Sequence, residues 1–444
     1  MEFRRRRSPS SLVRFLSPLR DFLHTEAAGG TLLVAGAAVA LVWANSPWSG
    51  TYDSFWHSEI SMSAAGHHLS LDLRHWVNDG LMTFFFLIVG LEIKRELTTG
   101  HLSNRKAAAL PIAAAVGGMA VPALLYLAIA GGTDARGWAV PMATDIALAV
   151  GVLALLGARV SASLRAYLLG LAIVDDIGAI IIIAAVYSTG VSWSWLFIAF
   201  VGLVITVAAR LSGVHAMVAY SAIGVIVWFA MHEAGIHPTL AGVAMGLLAP
   251  TVPRVDPDLV DTEELADLSS VEHAHQSTTL ARSSVSVVEW LQHLLHPYTS
   301  YFIVPVFALA NSGIEISIES LRAASTSPIA WGVFIGLVVG KPLGVVIASK
   351  LAARSGVAQI PEGTTSRQLV GVGNAAGIGF TVALFIAELA FTDPGREAEA
   401  KLSILIASLA SALLAVGVFM TRRSAGATDS VDPVQTDLPA TKLS

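Results

Sequence analysis

Long apolar runs separated by short polar segments are the main pattern along this chain. Each run is about 20 residues long, which is enough for one α-helix to cross roughly 30 Å of hydrocarbon in a bilayer. The runs are continuous rather than alternating, so the pattern predicts helices and excludes a β-barrel. Twelve helices are expected, at residues 27–44, 76–98, 108–129, 139–157, 165–187, 193–209, 214–231, 236–250, 291–311, 328–349, 369–390 and 400–421.

Composition and charge agree with a membrane protein. Hydrophobic residues make up 54% of the chain and charged residues 13%, against about 25% charged residues in an ordinary soluble domain. With the N-terminus inside, 21 of the 27 lysines and arginines fall on the inner side, five on the outer side, and one, Lys341, within a helix. Because basic residues collect in cytoplasmic loops, both termini are predicted to be cytoplasmic.

Polarity divides the chain into three parts. A basic cytoplasmic segment is expected at residues 1–26, a transmembrane domain at 27–423 and a disordered cytoplasmic tail at 424–444. The first apolar run has no convincing cleavage site, so it is interpreted as a retained helix. Within the transmembrane domain, residues 251–290 form a polar, acidic cytoplasmic insert that is expected to be flexible.

Several charged residues interrupt the predicted helices. The stretch LAIVDDIGAI places Asp175 and Asp176 near the bilayer centre, where one Asp costs about 2.5–3.5 kcal/mol on insertion scales. Lys341, in LVVGKPLGVV, either extends to the inner surface or pairs with a buried carboxylate. We favour pairing because Lys341 lies about two turns from the predicted helix end. Asp79, near an outer helix end, is equally well explained as a solvated terminus or as a functional group.

Two apolar runs carry helix breakers, one in each half of the chain. Pro141 and Thr144 precede Asp145 in VPMATDIALAV, and four glycines surround Asn374 in GVGNAAGIGFTVALF. Paired interruptions of this kind indicate inverted repeats with discontinuous helices, although helix packing through small residues also explains the glycines. Crossed breaks would place Asp145 near positive helix N-termini and Lys341 near negative C-termini, and so compensate their partial charges.

The two neighbouring aspartates cannot face one site equally, because adjacent helical residues point about 100° apart. We hypothesise that one of them binds a cation while the other pairs with Lys341. Desolvated carboxylates hold protons until a cation displaces them, so such a site would exchange cations for protons. Carboxylate and hydroxyl oxygens suit a hard ion such as Na+, with Thr144 as a neutral ligand.

Seven motifs resemble, in the same order, those of the bacterial NhaA-type Na+/H+ antiporters, and they span roughly residues 20–423. They are VNDGLMTFFFLIVGLEIKREL, VPMATDIALAVGVLALLG, LAIVDDIGAIIIIA, GIHPTLAGVAMGLL, LLHPYTSYFIVPVFALANSG, GKPLGV and GIGFTVALFIAELAF.

The resemblance implies an all-α membrane protein of about 12 transmembrane helices, with inverted repeats and two discontinuous crossing helices (an NhaA-like fold). It implies secondary active Na+(Li+)/H+ antiport that exports sodium, electrogenic and pH-regulated, in the bacterial cytoplasmic (inner) membrane. No cofactor, enzymatic activity or nucleic-acid partner is expected, and the partners are Na+, Li+, H+ and the lipid bilayer. The site residues that it implies are Asp175 and Asp176 as Na+ ligands, Thr144, Asp145 and Lys341 for cations and protons, and Asp79, Gly377 and Gly379 as accessory positions. Of the two aspartates, it favours Asp176 as the cation ligand and Asp175 as the partner of Lys341.

The resemblance also suggests pH regulation and a homodimer. The corresponding pH-control positions here are Glu92, Glu96, His237, His293 and His296. The chain has Gln292 where the family pattern has a titratable Glu, and Glu289, one turn earlier, is a candidate substitute. Alternating apolar residues around a Gly66 turn predict a β-hairpin near residues 58–73. In similar proteins such a hairpin pairs with its mate, which predicts a dimer.

Two other functional classes fit the buried charges less well. An intramembrane aspartyl protease would need Asp145 and Asp176 to share a proton, as catalytic dyads do. It would also need an Asp after Gly-x-Gly, where this chain has Asn374. A cation channel is disfavoured because charged groups at mid-membrane suit ion and proton competition better than rapid passage.

Overall fold

The computed structural model describes residues 11–64, 67–188, 190–214, 216–251 and 286–421. These residues are mostly helical. The expected basic N-terminal end (1–10), most of the acidic insert (252–285) and the tail (422–444) lie outside the described residues. The helices are α1 (Ser11–Ala44), α2 (Ser49–Trp56), α3 (Leu73–Thr98), α4 (Arg105–Asp134), α5 (Ile146–Leu155), α6 (Ala162–Val186), α7 (Trp193–Leu211), α8 (Met217–Glu233), α9 (Thr239–Leu248), α10 (Val287–Tyr298), α11 (Val304–Asn311), α12 (Ile318–Thr326), α13 (Pro328–Arg354), α14 (Ser366–Ala376), α15 (Phe380–Ala390) and α16 (Pro394–Met420).

Six helical segments of the described chain are long and apolar enough to cross a membrane, and up to eight if each of two bent helix pairs is one span. Three predicted spans correspond to shorter apolar helices, Ile146–Leu155, Met217–Glu233 and Thr239–Leu248. The protein is therefore an all-α, multi-pass membrane protein, and the count of twelve stays a prediction.

The first helix begins earlier than the apolar run predicts. It starts at Ser11 rather than at residue 27, so most of the predicted basic N-terminal segment is helical. The sequence SLVRFLSPLRDFLHTE has apolar residues three or four positions apart, a helical period that a search for continuous apolar runs overlooks.

Three π-helical turns interrupt otherwise α-helical spans. They are Trp76–Leu81 within α3, Thr299–Ile303 between α10 and α11, and Gly336–Gly340 within α13. π-Helical turns are rare in proteins overall, but those that occur are often found at functional sites. The last of them ends immediately before Lys341.

The two predicted helix breaks are present and lie against each other. The chain leaves α4 through a 3-10 segment, Ala135–Met142, and is extended before α5 begins. Helices α14 and α15 are bent by 50° at their break. The Asp145 backbone N–H donates to the Ile378 carbonyl at 2.6 Å, so one break contacts the other. A Cβ on Gly377 would lie 2.6 Å from the Leu337 carbonyl oxygen, which leaves no room for a side chain there.

Helices α4 and α13 approach closely through glycines, and this approach positions Lys341. A Cβ on Gly344 would lie 2.7 Å from the Gly117 carbonyl carbon. Gly118 lies over the Lys341 stem, since a Cβ there would be 3.7 Å from its Cδ and Cε atoms. The small residues of α4 thus leave space for a long buried side chain on α13.

A two-stranded antiparallel hairpin follows α2. Strands β1 (Glu59–Ala64) and β2 (His67–Asp72) pair with Glu59 opposite Asp72 and Met62 opposite Leu69. The predicted turn at Gly66 falls at residues 65–66, outside the described ranges. Asp72 begins α3 by accepting a hydrogen bond from the His75 backbone N–H at 2.7 Å, so the hairpin leads directly into the membrane-spanning helix.

Candidate ion-binding site

An ion pair lies beside the crossing of the two broken helices. Lys341 Nζ is 2.7 Å from Asp175 Oδ2, and neither side chain is exposed. Lys341 also donates to the Met142 carbonyl, at the end of the 3-10 segment. Lys341 is therefore paired with a buried carboxylate, and the alternative that it extends to the inner surface is wrong. Its ammonium group lies at the negative C-terminal end of the 3-10 segment, as expected if Lys341 compensates the partial charge of a helix C-terminus.

Thr144 joins the ion pair to the second broken helix. Its Oγ1 lies 2.7 Å from Asp175 Oδ2 and 2.9 Å from the Ala376 carbonyl oxygen. A hydroxyl has one hydrogen, so it donates to one of these acceptors at a time. Among the described residues no protein group donates to Asp175 Oδ1, which is buried. Oδ2 of Asp175 thus contacts both Lys341 and Thr144, whereas Oδ1 accepts no hydrogen bond from any described residue.

Asp145 holds the N-terminal ends of two half-helices together. Its Oδ1 accepts from the Leu148 backbone N–H at 3.0 Å, at the start of α5. Its Oδ2 accepts from the Thr381 backbone N–H at 3.0 Å and from Thr381 Oγ1 at 2.6 Å, at the start of α15. These bonds place negative charge at positive helix ends. Both oxygens are engaged, which is unsuited to the proton-sharing dyad of an aspartyl protease.

A cavity of about 660 Å³, including the part open to solvent, reaches Asp176 but not Asp175. Asp176 is 6% exposed and Asp175 1% exposed. Oxygen atoms of carboxylates and hydroxyls suit a hard cation such as Na+. Within the described ranges, no group of three or more His, Cys, Asp or Glu side chains is arranged to hold a metal ion. The polar residues that line the cavity are Glu92, Thr144, Asp145, Asp176, His296, Thr299, Ser300 and Thr381.

The structure brings only some of the pH-control candidates to this cavity. Glu92 and His296 line it, and His296 Nδ1 lies 3.1 Å from Ser300 Oγ. Glu96 is buried and does not line the cavity, and His293 is exposed. His237 is remote from these four, with its Nδ1 3.8 Å from Asp79 Oδ1.

The glutamine that replaces an expected Glu is buried. Gln292 is 6% exposed, and its Oε1 has no hydrogen-bond partner among the described residues. Glu289 is exposed, and it accepts a hydrogen bond from Ser286 Oγ at 3.0 Å, at the start of α10. Glu289 therefore bonds to Ser286, the N-cap residue of its own helix, and does not occupy the place of Gln292.

A second polar cluster, which sequence analysis missed, lies around Glu388. Asn78 Nδ2 is 2.6 and 2.5 Å from the two carboxylate oxygens of Glu388. Asn311 Nδ2 donates to Asn78 Oδ1 at 2.7 Å. The signal was available, because LFIAELAF carries Glu388 within an apolar run and FALANSG ends an apolar run with Asn311 and Ser312. Asp79, beside this cluster, is 8% exposed, so it is not a solvated helix end.

Comparison with known proteins agrees with these observations. A family model described as Na+/H+ antiporter 1 matches residues 20–419. The antiporter NhaA 2 of Sorangium cellulosum is 45% identical over 423 residues, covering 92% of this chain and 90% of that protein. NhaA 2 of Myxococcus xanthus is 47% identical over 437 residues, covering 94% and 93%. NhaA of a Janthinobacterium strain is 44% identical over 428 residues, covering 92% and 94%.

Matches of this length and identity, on a chain whose two broken helices meet at buried carboxylates, settle the family. The chain belongs to the Na+/H+ antiporter 1 family, a family of membrane transporters rather than enzymes.

Proposed function

We propose that this protein is a secondary active antiporter that exports Na+ or Li+ in exchange for H+. The observation that carries the proposal is a cavity lined by Asp176, beside the buried pair of Asp175 and Lys341. Asp176 binds the cation, with Thr144 and Asp145 oxygens nearby. A proton on Asp176 and a cation at Asp176 exclude each other, since both need the same oxygens.

The cycle is electrogenic if two protons are exchanged for one cation. Asp176 supplies one proton, and the second comes from Asp175 or Lys341 when their pair opens. Asp175 Oδ1, which no described group holds, supports a role for Asp175 in proton binding. Two protons entering for one Na+ leaving moves one positive charge inward. The membrane potential then contributes about 2.3 kcal/mol per 100 mV.

Everted membrane vesicles test this proposal. Adding Na+ or Li+ at alkaline pH is expected to dissipate a preformed pH gradient, and adding choline is expected to leave it unchanged. Imposing a membrane potential is expected to change the rate, because each cycle moves charge. An intact pH gradient after Na+ and Li+ addition to vesicles that contain the wild-type protein would refute antiport.

We assign control by pH mainly to titratable groups that line the cavity. Glu92 and His296 line the cavity, so their charge acts on a cation approaching Asp176. Histidine changes charge near neutral pH, which makes His296 suited to switching this field. Glu96 and His293 act from the same helices, and His237 acts from its position beside Asp79. Gln292 removes one titrating group from this set.

We propose that the protein lies in the bacterial cytoplasmic (inner) membrane with both termini in the cytoplasm. The excess of basic residues in the loops assigned to the inner side supports this orientation. In this orientation Glu92 and His296, which line the cavity, lie on its cytoplasmic side, where sodium is collected for export.

A homodimer is proposed through the β-hairpin. Each strand of β1 and β2 has one unpaired edge, which is available for pairing with the same hairpin of a second copy. Replacing residues 60–71 with a short Gly-Ser linker is expected to convert a dimer into a monomer, as measured by light scattering in detergent. A linker variant that keeps the dimer mass would show that the interface lies elsewhere.

A further inference from the structure

The cluster around Glu388 joins three helices on the side of the bundle away from Glu92. Asn78 is on α3, Asn311 ends α11 and Glu388 is on α15. Along α3, Asn78 is about 21 Å from Glu92, which lines the cavity. Along α15, Glu388 is about 10 Å beyond Thr381, which contacts Asp145. The cluster therefore lies on the far side of the helix crossing.

Hydrogen bonds in this cluster are short and linked. The two hydrogens of the Asn78 amide are shared among three acceptors, the two Glu388 oxygens and Asn311 Oδ1, the last at 3.2 Å. Asn311 Nδ2 in turn donates to Asn78 Oδ1 at 2.7 Å. The two asparagines are 2% and 3% exposed. A hydrogen bond to a charged group in such surroundings is stronger than a neutral one. We call Glu388, Asn78 and Asn311 the clasp.

An aromatic layer separates the clasp from the crossing. Phe385, fully buried on α15, has its ring 5.3 Å from Phe86 of α3 and 6.4 Å from Phe307 of α11. The clasp and this layer thus hold α15 to the same two helices. Charged neighbours of the clasp are His75 and Asp79 on α3 and Glu397 and Lys401 on α16. Lys401 is already paired with Glu397 at 2.6 Å.

We propose that Glu388 is a positioning residue that holds α15 against α3 and α11, and that the site opens at this end only when the clasp breaks. The inference rests on the proposed function, since exchange requires the same site to open at each end in turn. In this structure Glu92 and Asp176 line the same cavity, whereas Asn78, Asn311 and Glu388 do not line it and are hydrogen-bonded to one another. The clasp is thus closed while the cavity extends from Asp176 toward Glu92.

Thiol labelling tests the clasp without relying on transport. The chain has no cysteine, so a single Ala387→Cys substitution, at a fully buried position next to Glu388, gives one reporter. A membrane-impermeant thiol reagent is applied to right-side-out vesicles. Adding Glu388→Ala to the reporter is expected to speed labelling about 10- to 100-fold, because charge-assisted hydrogen bonds that favour the closed state are lost. Glu388→Gln, which keeps one acceptor, is expected to give an intermediate rate.

Glu399→Gln is the matched control for these variants. Glu399, near the start of α16, is half-buried, as Glu388 is. It accepts a hydrogen bond from Ser327 Oγ at 2.5 Å, and this bond links α16 to the start of α13 rather than to α15 or α3. It is expected to leave the labelling rate of Ala387→Cys unchanged. Should Glu388→Ala fail to fold, Glu388→Gln decides the question. Equal labelling rates with and without the Glu388 substitutions would overturn the clasp.

A kinetic readout separates positioning from general damage. Weakening the clasp is expected to raise the apparent KM for Na+ at the face of the Glu92 cavity and to lower it at the opposite face. Damage to the fold would impair both faces alike. Loss of Na+-dependent proton movement in the wild type would refute the proposed function, whereas labelling insensitive to Glu388 in an active transporter would refute the clasp alone.

Discussion

Asp176→Asn is expected to abolish cation-dependent proton movement in everted vesicles. The amide cannot exchange a proton near neutral pH, and it offers a cation a neutral oxygen in place of a charged one. Cation binding is expected to weaken about 10- to 100-fold, the size of a lost charge-assisted contact. Because Asp176 lines the cavity and is not the partner of Lys341, the substitution leaves the buried ion pair intact. The protein should therefore remain folded while exchange is lost.

Asp134→Asn provides the comparison. Asp134 forms an ion pair with Arg396 at 2.9 Å near the surface, away from the cavity lining. Losing a pair of this kind costs little, so this variant is expected to retain exchange and a wild-type unfolding temperature. Wild-type exchange rates in Asp176→Asn, with both proteins present at equal levels, would remove Asp176 from the transport site.

Lys341→Met is expected to be the most destabilising of the single substitutions proposed. It leaves the Asp175 carboxylate buried without its cation, and breaking a buried pair from one side costs about 3–5 kcal/mol. A lower thermal unfolding midpoint in detergent measures the effect. Asp175→Asn combined with Lys341→Met removes both charges, so the double variant is expected to unfold at a higher temperature than Lys341→Met alone.

Lys401→Met is the comparison variant for Lys341→Met, and it tests how much of the lost stability depends on burial of the ion pair. Lys401 pairs with Glu397 at 2.6 Å, but Glu397 is 24% exposed and can be solvated when its partner is removed. A smaller loss of stability is therefore expected. If the double variant at 175 and 341 is no more stable than Lys341→Met, the cost comes from lost packing around the long side chain rather than from the unpaired charge.

Sequence reasoning predicted the chemistry of the crossing well because lipid leaves few options. Helix breakers at membrane depth need polar partners, and charged residues there need counter-charges. These two rules are enough to predict that Asp145 lies at helix N-termini and that Lys341 pairs with a carboxylate. They do not decide between Asp175 and Asp176, because that depends on how α6 is rotated against α4 and α13. In the structure Lys341 contacts Asp175 and Asp176 lines the cavity, which is the arrangement hypothesised.

Contacts between distant segments were harder to foresee. Asn78 and Glu388 are 310 positions apart, and neither residue alone distinguishes a clasp from a solvated helix end. The early start of α1 was missed for a different reason, since its first turns are amphipathic rather than uniformly apolar. Both omissions concern polar residues near helix ends, where hydropathy carries little information and packing decides the outcome.

The number of residues in the π-helical turn at Gly336–Gly340 determines the direction in which the Lys341 ammonium group points. A π turn accommodates more residues per turn than an α-helix, so it rotates everything that follows about the helix axis. Lys341 comes immediately after it and owes its direction toward Asp175 to that rotation. Losing any one residue of this turn would preserve every functional side chain and still turn Lys341 away by about 100°. Spacing is therefore as strict a requirement here as residue identity, and comparing related chains by identity alone would not reveal it.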